Sequence, residues 1–204
     1  MQKIIIATGN PGKVKEFRDM FSDMGLDCSV ASLADCFDPL PDIEETGATF
    51  HENAKVKADW VYRRVANVWS LADDSGLEVD ALDGAPGVLS ARYSGEGANA
   101  ARNNLKLLNE LRGIPDRKRT ARFKCVLVLR MGIDTYLSAE GVCEGRIGER
   151  TVGDKGFGYD PLFIPNGFDR TMAQLEPEEK NRISHRGMAL RNLLAAIKVG
   201  GNIY

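Results

Sequence analysis

The chain has 204 residues, 43% hydrophobic and 27% charged, with a formal net charge of −2. That length and mix allow one domain or two tightly joined lobes and exclude a disordered chain. The near-neutral charge excludes a broad basic nucleic-acid footprint, and no apolar run approaches the length of a membrane span.

Ile4-Ile5-Ile6-Ala7 predicts a strand covered on both faces. After the loop Thr8–Gly12, Val14, Phe17, Met20, Phe21 and Met24 recur at helical spacing until Gly25. A strand near Cys28–Ser32 precedes a looser stretch, Asp35–Gly47. Thr49-Phe50-His51-Glu52 is a capping box, opening a helix whose apolar stripe is Phe50, Ala54, Ala58, Val61 and Val65. Val68–Ala72 predicts another buried strand, ending at Asp73-Asp74-Ser75-Gly76. A helix over Asn99–Arg112 is expected to turn Ala101, Leu105, Leu108 and Leu111 inward. Ala121–Met131 and Tyr136–Cys143 predict two long strands joined at Gly132–Asp134. A glycine-rich loop, Gly153–Pro161, follows, and a last helix runs from about His185 to Lys198 with Ser184 as its cap. Helices and strands alternate only in part, which predicts α/β with a mixed, twisted sheet.

The four cysteines form no C-x-x-C pair, and the two histidines lie far apart, so no zinc ligand set is visible. Reduced cysteines and an N-terminus too soon polar for a signal peptide point to the cytoplasm.

Five segments carry candidate chemistry. Thr8-Gly9-Asn10-Pro11-Gly12-Lys13 joins a strand to a helix, where amides, the helix dipole and a mobile lysine suit a phosphate. It is not a Walker A loop, since Ala7 and Val14 stand where that motif needs Gly and Ser/Thr. In Asp73-Asp74 the two side chains point opposite ways along a strand, so one can orient the loop while the other, with Ser75 beside it, holds magnesium or activates water. An acidic turn is the ordinary alternative. Glu44-Glu45 supplies a second acid pair, and either glutamate could complete a metal site made of one or two carboxylates plus phosphate oxygens. Phe157-Gly158-Tyr159-Asp160 places aromatic rings between glycines, suited to stacking on a base or, alternatively, to filling a core. Ser184-His185-Arg186 puts cations at a helix N-terminus with Lys180 just before, which makes sense if an anion or a carbonyl oxygen binds there. The alternative is a salt-bridge network with Glu176, Glu178 and Glu179.

These segments, with Gly84-Ala85-Pro86-Gly87 and Ser90-Ala91-Arg92-Tyr93, stand in the order and context of one family. Over essentially its whole length the chain resembles the inosine triphosphate pyrophosphatases of bacterial type. The resemblance implies an elongated α/β fold with a long mixed sheet, two lobes forming one functional unit over residues 1–204, and an active-site cleft between the lobes. It also implies a homodimer that hydrolyses ITP, dITP and XTP to the monophosphate and pyrophosphate with Mg2+; Mn2+ would suit the same oxygen ligands.

Residue by residue, the resemblance gives Thr8, Gly9, Asn10, Pro11, Gly12 and Lys13 to the triphosphate, and Asp74 the roles of general base and metal ligand. Glu44 or Glu45 would complete the metal site. Ser75, Phe157, Gly158, Tyr159, Asp160, Lys180, His185 and Arg186 would contact the nucleotide. The partner expected is therefore a small-molecule nucleotide, with neither nucleic acid nor membrane. The rival readings are a pyrophosphatase for other nucleoside triphosphates and a purine-nucleotide-binding module without turnover.

Overall fold

The computed structural model describes residues 2–26 and 28–199. Its elements in chain order are β1 (Gln2–Ile6), α1 (Pro11–Asp23), β2 (Cys28–Ser32), α2 (Phe50–Tyr62), β3 (Trp69–Val79), α3 (Ala100–Glu110), β4 (Thr120–Arg130), β5 (Tyr136–Ile147), β6 (Phe163–Pro165), α4 (Pro177–Ile183) and α5 (His185–Val199). The fold is α/β, as expected. Six strands make one sheet in the order β2-β1-β3-β4-β5-β6. The sheet is mixed: β1 lies parallel to β2 and β3, whereas β5 and β6 are antiparallel.

The chain forms two compact units, each discontinuous in sequence. The first takes residues up to Asp74, Cys125–Glu140 and the chain from Ala189 onward. The second takes Ser75–Lys124 and Gly141–Met188.

In the first unit, the apolar run of β1 is explained by cover on both faces. Ile4 and Ile6 pack with Phe17, Met20 and Phe21 of α1 and with Ala189, Leu190 and Leu193 of α5. Ile5 and Ala7 point the other way, onto Ala54, Ala58 and Val61 of α2. The second unit is centred on Leu77, Val79, Phe123, Ile147 and Phe163, closed by Leu107 of α3 and by Leu111 just after it. Among the described residues no helix is long and apolar enough to cross a membrane.

Three element readings are corrected. β3 does not stop at Ala72: it continues through Asp73-Asp74-Ser75-Gly76 to Val79, because Leu77 and Val79 resume buried alternation beyond the polar residues. Helix α2 ends at Tyr62, so Val65 lies beyond its last turn while still packing on the same core. Of the four residues of the α3 segment expected inward, Leu108 packs against the core and Leu111 is fully buried, but the other two are not inward. Ala101 and Leu105 are exposed, and Asn103 and Asn104 are buried with Leu107. Hydrogen bonding accounts for the two buried asparagines. Asn103 Nδ2 donates to the carbonyls of Ser90 (3.2 Å) and Ala91 (3.0 Å), and its Oδ1 accepts from Ser94 N (2.8 Å). Asn104 Nδ2 donates to Gly158 O (3.0 Å).

Candidate active site

In the first unit, two adjacent carboxylates of β3 point to opposite faces of the sheet. Asp73 shares its side with Leu71, toward α1, and Asp74 shares its side with Ala72, toward α2.

On the α1 side stands the loop Thr8–Lys13. Asn10 caps α1, its Oδ1 accepting from Gly12 N (2.9 Å) and Lys13 N (3.2 Å), while Asn10 N donates to Thr8 Oγ1 (3.2 Å). Two amides expected to face a phosphate are thus taken by the cap. Thr8 is buried, while Gly9, Asn10 and Pro11 are exposed. Lys13, expected from the sequence as a mobile positive charge, is ion-paired to the fully buried Asp73. The second oxygen of Asp73 accepts from the Cys125 thiol (3.1 Å).

On the α2 side, Lys57 Nζ lies 2.7 Å from Glu45 Oε1 and 2.9 Å from Asp74 Oδ1. Asn53, one turn earlier on the helix, donates through Nδ2 to Asp74 Oδ2 (3.3 Å) and accepts at Oδ1 from Gly47 N (2.7 Å). One amide therefore ties the Glu45 loop to Asp74. Gly47 permits this approach, because a Cβ there would lie 2.6 Å from Glu52 Cβ and 2.7 Å from Asn53 Oδ1. Glu44 is exposed, so of the two glutamates Glu45 is the one brought to Asp74. Burial pushes the Asp74 carboxyl above its ordinary pKa, outweighing the downward pull of Lys57 and Lys13. Burial also works against the Lys57 ammonium, but Asp74 and Glu45 hold its pKa above the usual value.

The second unit gathers the remaining candidates. Asp160 Oδ2 accepts from Lys180 Nζ (2.6 Å) and Phe157 N (2.8 Å), pinning the glycine-rich loop. Gly156 has φ +74°, and a Cβ on it would run into Asp160 Oδ2, so glycine is required there. The Phe157 ring is half-buried and has Lys180 Nζ 5.1 Å and the Arg186 guanidinium carbon 5.6 Å from its centroid. Tyr159, by contrast, lies in the core, its hydroxyl donating to Ser90 O (2.9 Å). Ser184 Oγ caps α5 by accepting from Gly187 N (3.1 Å). Behind that cap His185 is buried and stacked on Phe123 (4.8 Å, 14°), and Arg186 donates to Ser75 Oγ (2.9 Å). Of the three glutamates weighed as partners for this cluster, Glu176 pairs with Lys155 and Glu179 with Arg170.

The sequence candidates thus separate into an acid–lysine group in the first unit and an aromatic–cation group in the second, consecutive in the chain at Asp74-Ser75. Among the described residues no group of three or more His, Cys, Asp or Glu is placed to hold a metal by itself. Two converging carboxylates instead suit a hard cation that takes its other ligands from phosphate and water.

Sequence reasoning missed Lys57 and Asn53. The available signal was their i, i+4 spacing with Val61, which places two polar residues on the buried face of an otherwise apolar helix stripe. It also missed Asn104, the tether of Gly158.

The sequence from residue 4 to 196 matches the model of the Ham1 family. A protein of Oceanobacillus iheyensis named dITP/XTP pyrophosphatase is 50% identical over 193 residues, covering 95% of this chain and 96% of that protein. One of the same name from Geobacillus kaustophilus is 51% identical over 193 residues, 95% of this chain and 93% of its own length. The solved structure of the Staphylococcus aureus Ham1 protein superposes with a TM-score of 0.82 at 40% identity, over 98% of this chain and 100% of that one.

Proposed function

The chain belongs to the Ham1 family and is a nucleoside triphosphate pyrophosphatase, and we propose that it cleaves dITP, XTP and ITP, with magnesium, to the monophosphate and pyrophosphate. The observation that carries this reading is the pair Glu45 and Asp74. Both aim carboxylate oxygens at one cation position, now held by Lys57 Nζ, and two acids against one ammonium leave one negative charge in excess. Polyphosphate would not approach such a group without a metal. Glu45 and Asp74 are the residues that would hold magnesium, which when bound neutralises the charge that develops on the phosphates.

The rest follows from the chain's own groups. Asp74 orients a water toward the α-phosphorus and accepts its proton, a task favoured by a carboxyl whose pKa burial has raised. Lys13 and the exposed turn Gly9–Pro11 hold the leaving pyrophosphate. Phe157 stacks on the base, and His185 and Arg186 donate toward a 6-keto oxygen. An adenine amino group in that place would set donor against donor, a mismatch that a 6-keto oxygen avoids. The biological role proposed is removal of deaminated purines from the nucleotide pool by a cytoplasmic homodimer.

The test is a panel of dITP, XTP, ITP, GTP and ATP, with magnesium or EDTA, scoring pyrophosphate and orthophosphate separately. Magnesium-dependent pyrophosphate from the first three, with little from ATP or GTP, is the expected result. Orthophosphate as first product, or equal turnover of ATP, would overturn the cleavage or base-reading assignment. Binding without turnover would favour a sensing module.

A further inference from the structure

Asp73 is fully buried and stands on the face of β3 away from Asp74, so its carboxylate points away from the pair that the proposed chemistry uses. Burying a carboxyl group is costly unless its oxygens have hydrogen-bond or ion-pair partners. Here one oxygen takes the Lys13 ammonium and the other takes the Cys125 thiol at 3.1 Å. Cys125 is itself fully buried on β4, the strand next to β3 in the sheet. A donor on each oxygen restrains the rotation of the carboxylate about its last bond.

We propose that Asp73 is a positioning residue that aims Lys13 at the polyphosphate, and that the Cys125 thiol is the second anchor holding Asp73 in that orientation. The proposal rests on the assignment of Lys13 to the leaving pyrophosphate. A lysine has four rotatable bonds, and a phosphate that must order them binds more weakly than one meeting an ammonium already held. Buried cysteine is ordinarily a small hydrophobe with a weak donor. At Cys125 the donor has a defined acceptor, which separates the two roles experimentally.

Cys125→Val keeps the apolar volume and removes the donor, whereas Cys125→Ser keeps a donor in a smaller, more polar side chain. Binding of inorganic pyrophosphate in magnesium buffer is measured by calorimetry, and KM and kcat for dITP are measured alongside. With the thiol as anchor, Cys125→Val weakens pyrophosphate binding and raises KM about 5- to 20-fold while kcat changes less, and Cys125→Ser stays within about 2-fold of wild type. The reverse ranking, serine impaired and valine unchanged, makes Cys125 a packing residue and overturns the proposal. So does an equal dissociation constant in all three proteins, or no pyrophosphate binding by wild type. Failure of wild type to release pyrophosphate from dITP would instead sink the proposed activity, and the binding comparison would still decide the anchor.

Discussion

Replacing Lys57 with methionine tests the acid–lysine group most severely, because it removes the cation and keeps the length of the side chain. In the native protein the Lys57 and Asp74 side chains are 7% and 8% exposed, and Glu45 is 28% exposed. Removing one partner of a buried ion pair costs roughly 3–5 kcal/mol, since a charge is left buried and unpaired. Water can reach Glu45 and bear part of that loss, which places the expectation near the lower end, about 3 kcal/mol. For a chain of this length that corresponds to a fall in Tm of roughly 6–12 °C. The folded pKa of Lys57 is raised, so its contribution is fully present below the ordinary lysine value and is lost only as pH rises through the higher folded value. The deficit should therefore be constant from about pH 7 to 9.

Magnesium supplies the second half of the test. With the ammonium gone, Glu45 and Asp74 converge on nothing, and a divalent cation at about 100 times its Kd restores about 2.7 kcal/mol. Scanning calorimetry in EDTA and across a magnesium titration reads both effects. The variant should lose stability in EDTA and recover most of it with magnesium, by a larger increment than wild type. An unchanged Tm in EDTA, or no response to magnesium, would refute the reasoning that these acids form a cation site.

Gly47→Ala should cost about 1–3 kcal/mol in urea unfolding and lower kcat/KM for dITP, because its Cβ would push the Glu45 loop off Asn53. Burial, with Glu144 and Asp160 nearby, pushes the Cys143 thiol up to about 12. A soluble maleimide at about pH 8 should therefore label the half-buried Cys28 and Cys36 in the native protein and spare Cys143, as read by mass spectrometry. The Thr120 hydroxyl and Arg122 hold Asp80 below the usual carboxylate range, against a smaller opposing effect of burial. Its contribution is present above the ordinary carboxylate pKa and disappears as pH falls through the depressed folded value. Thermal melts of wild type and Asp80→Asn should accordingly differ at neutral pH and converge in acid.

Much of the fold was legible where one residue pattern allows one burial arrangement. Ile4–Ala7 has no polar face and must be sandwiched, and Thr49 with Glu52 marks the start of α2 to the residue. The misreadings have a common cause, which is that local polarity was taken for exposure. Asp73-Asp74-Ser75-Gly76 has turn composition but lies within a strand, because lysines from α1 and α2 neutralise the two acids from opposite faces. Asn103 and Asn104 of α3 are buried because they bond loop carbonyls that the sequence cannot place nearby. Lys57 went unnoticed because a lysine on an amphipathic helix normally reads as solvent-facing. The choice between Glu44 and Glu45 depends on how Gly47 docks on α2, and no periodicity in the sequence expresses that. The motif order carried what spacing alone could not, namely that these scattered segments belong to one kind of enzyme.

The central claim is that a water oriented by Asp74 attacks the α-phosphorus. Turnover of dITP in 18O-labelled water, with mass spectrometry of both products, tests it most directly. One 18O atom should enter the monophosphate and none the pyrophosphate, and Asp74→Asn should slow its appearance by at least about 100-fold. Label in the pyrophosphate, or undiminished turnover in the variant, would contradict the account.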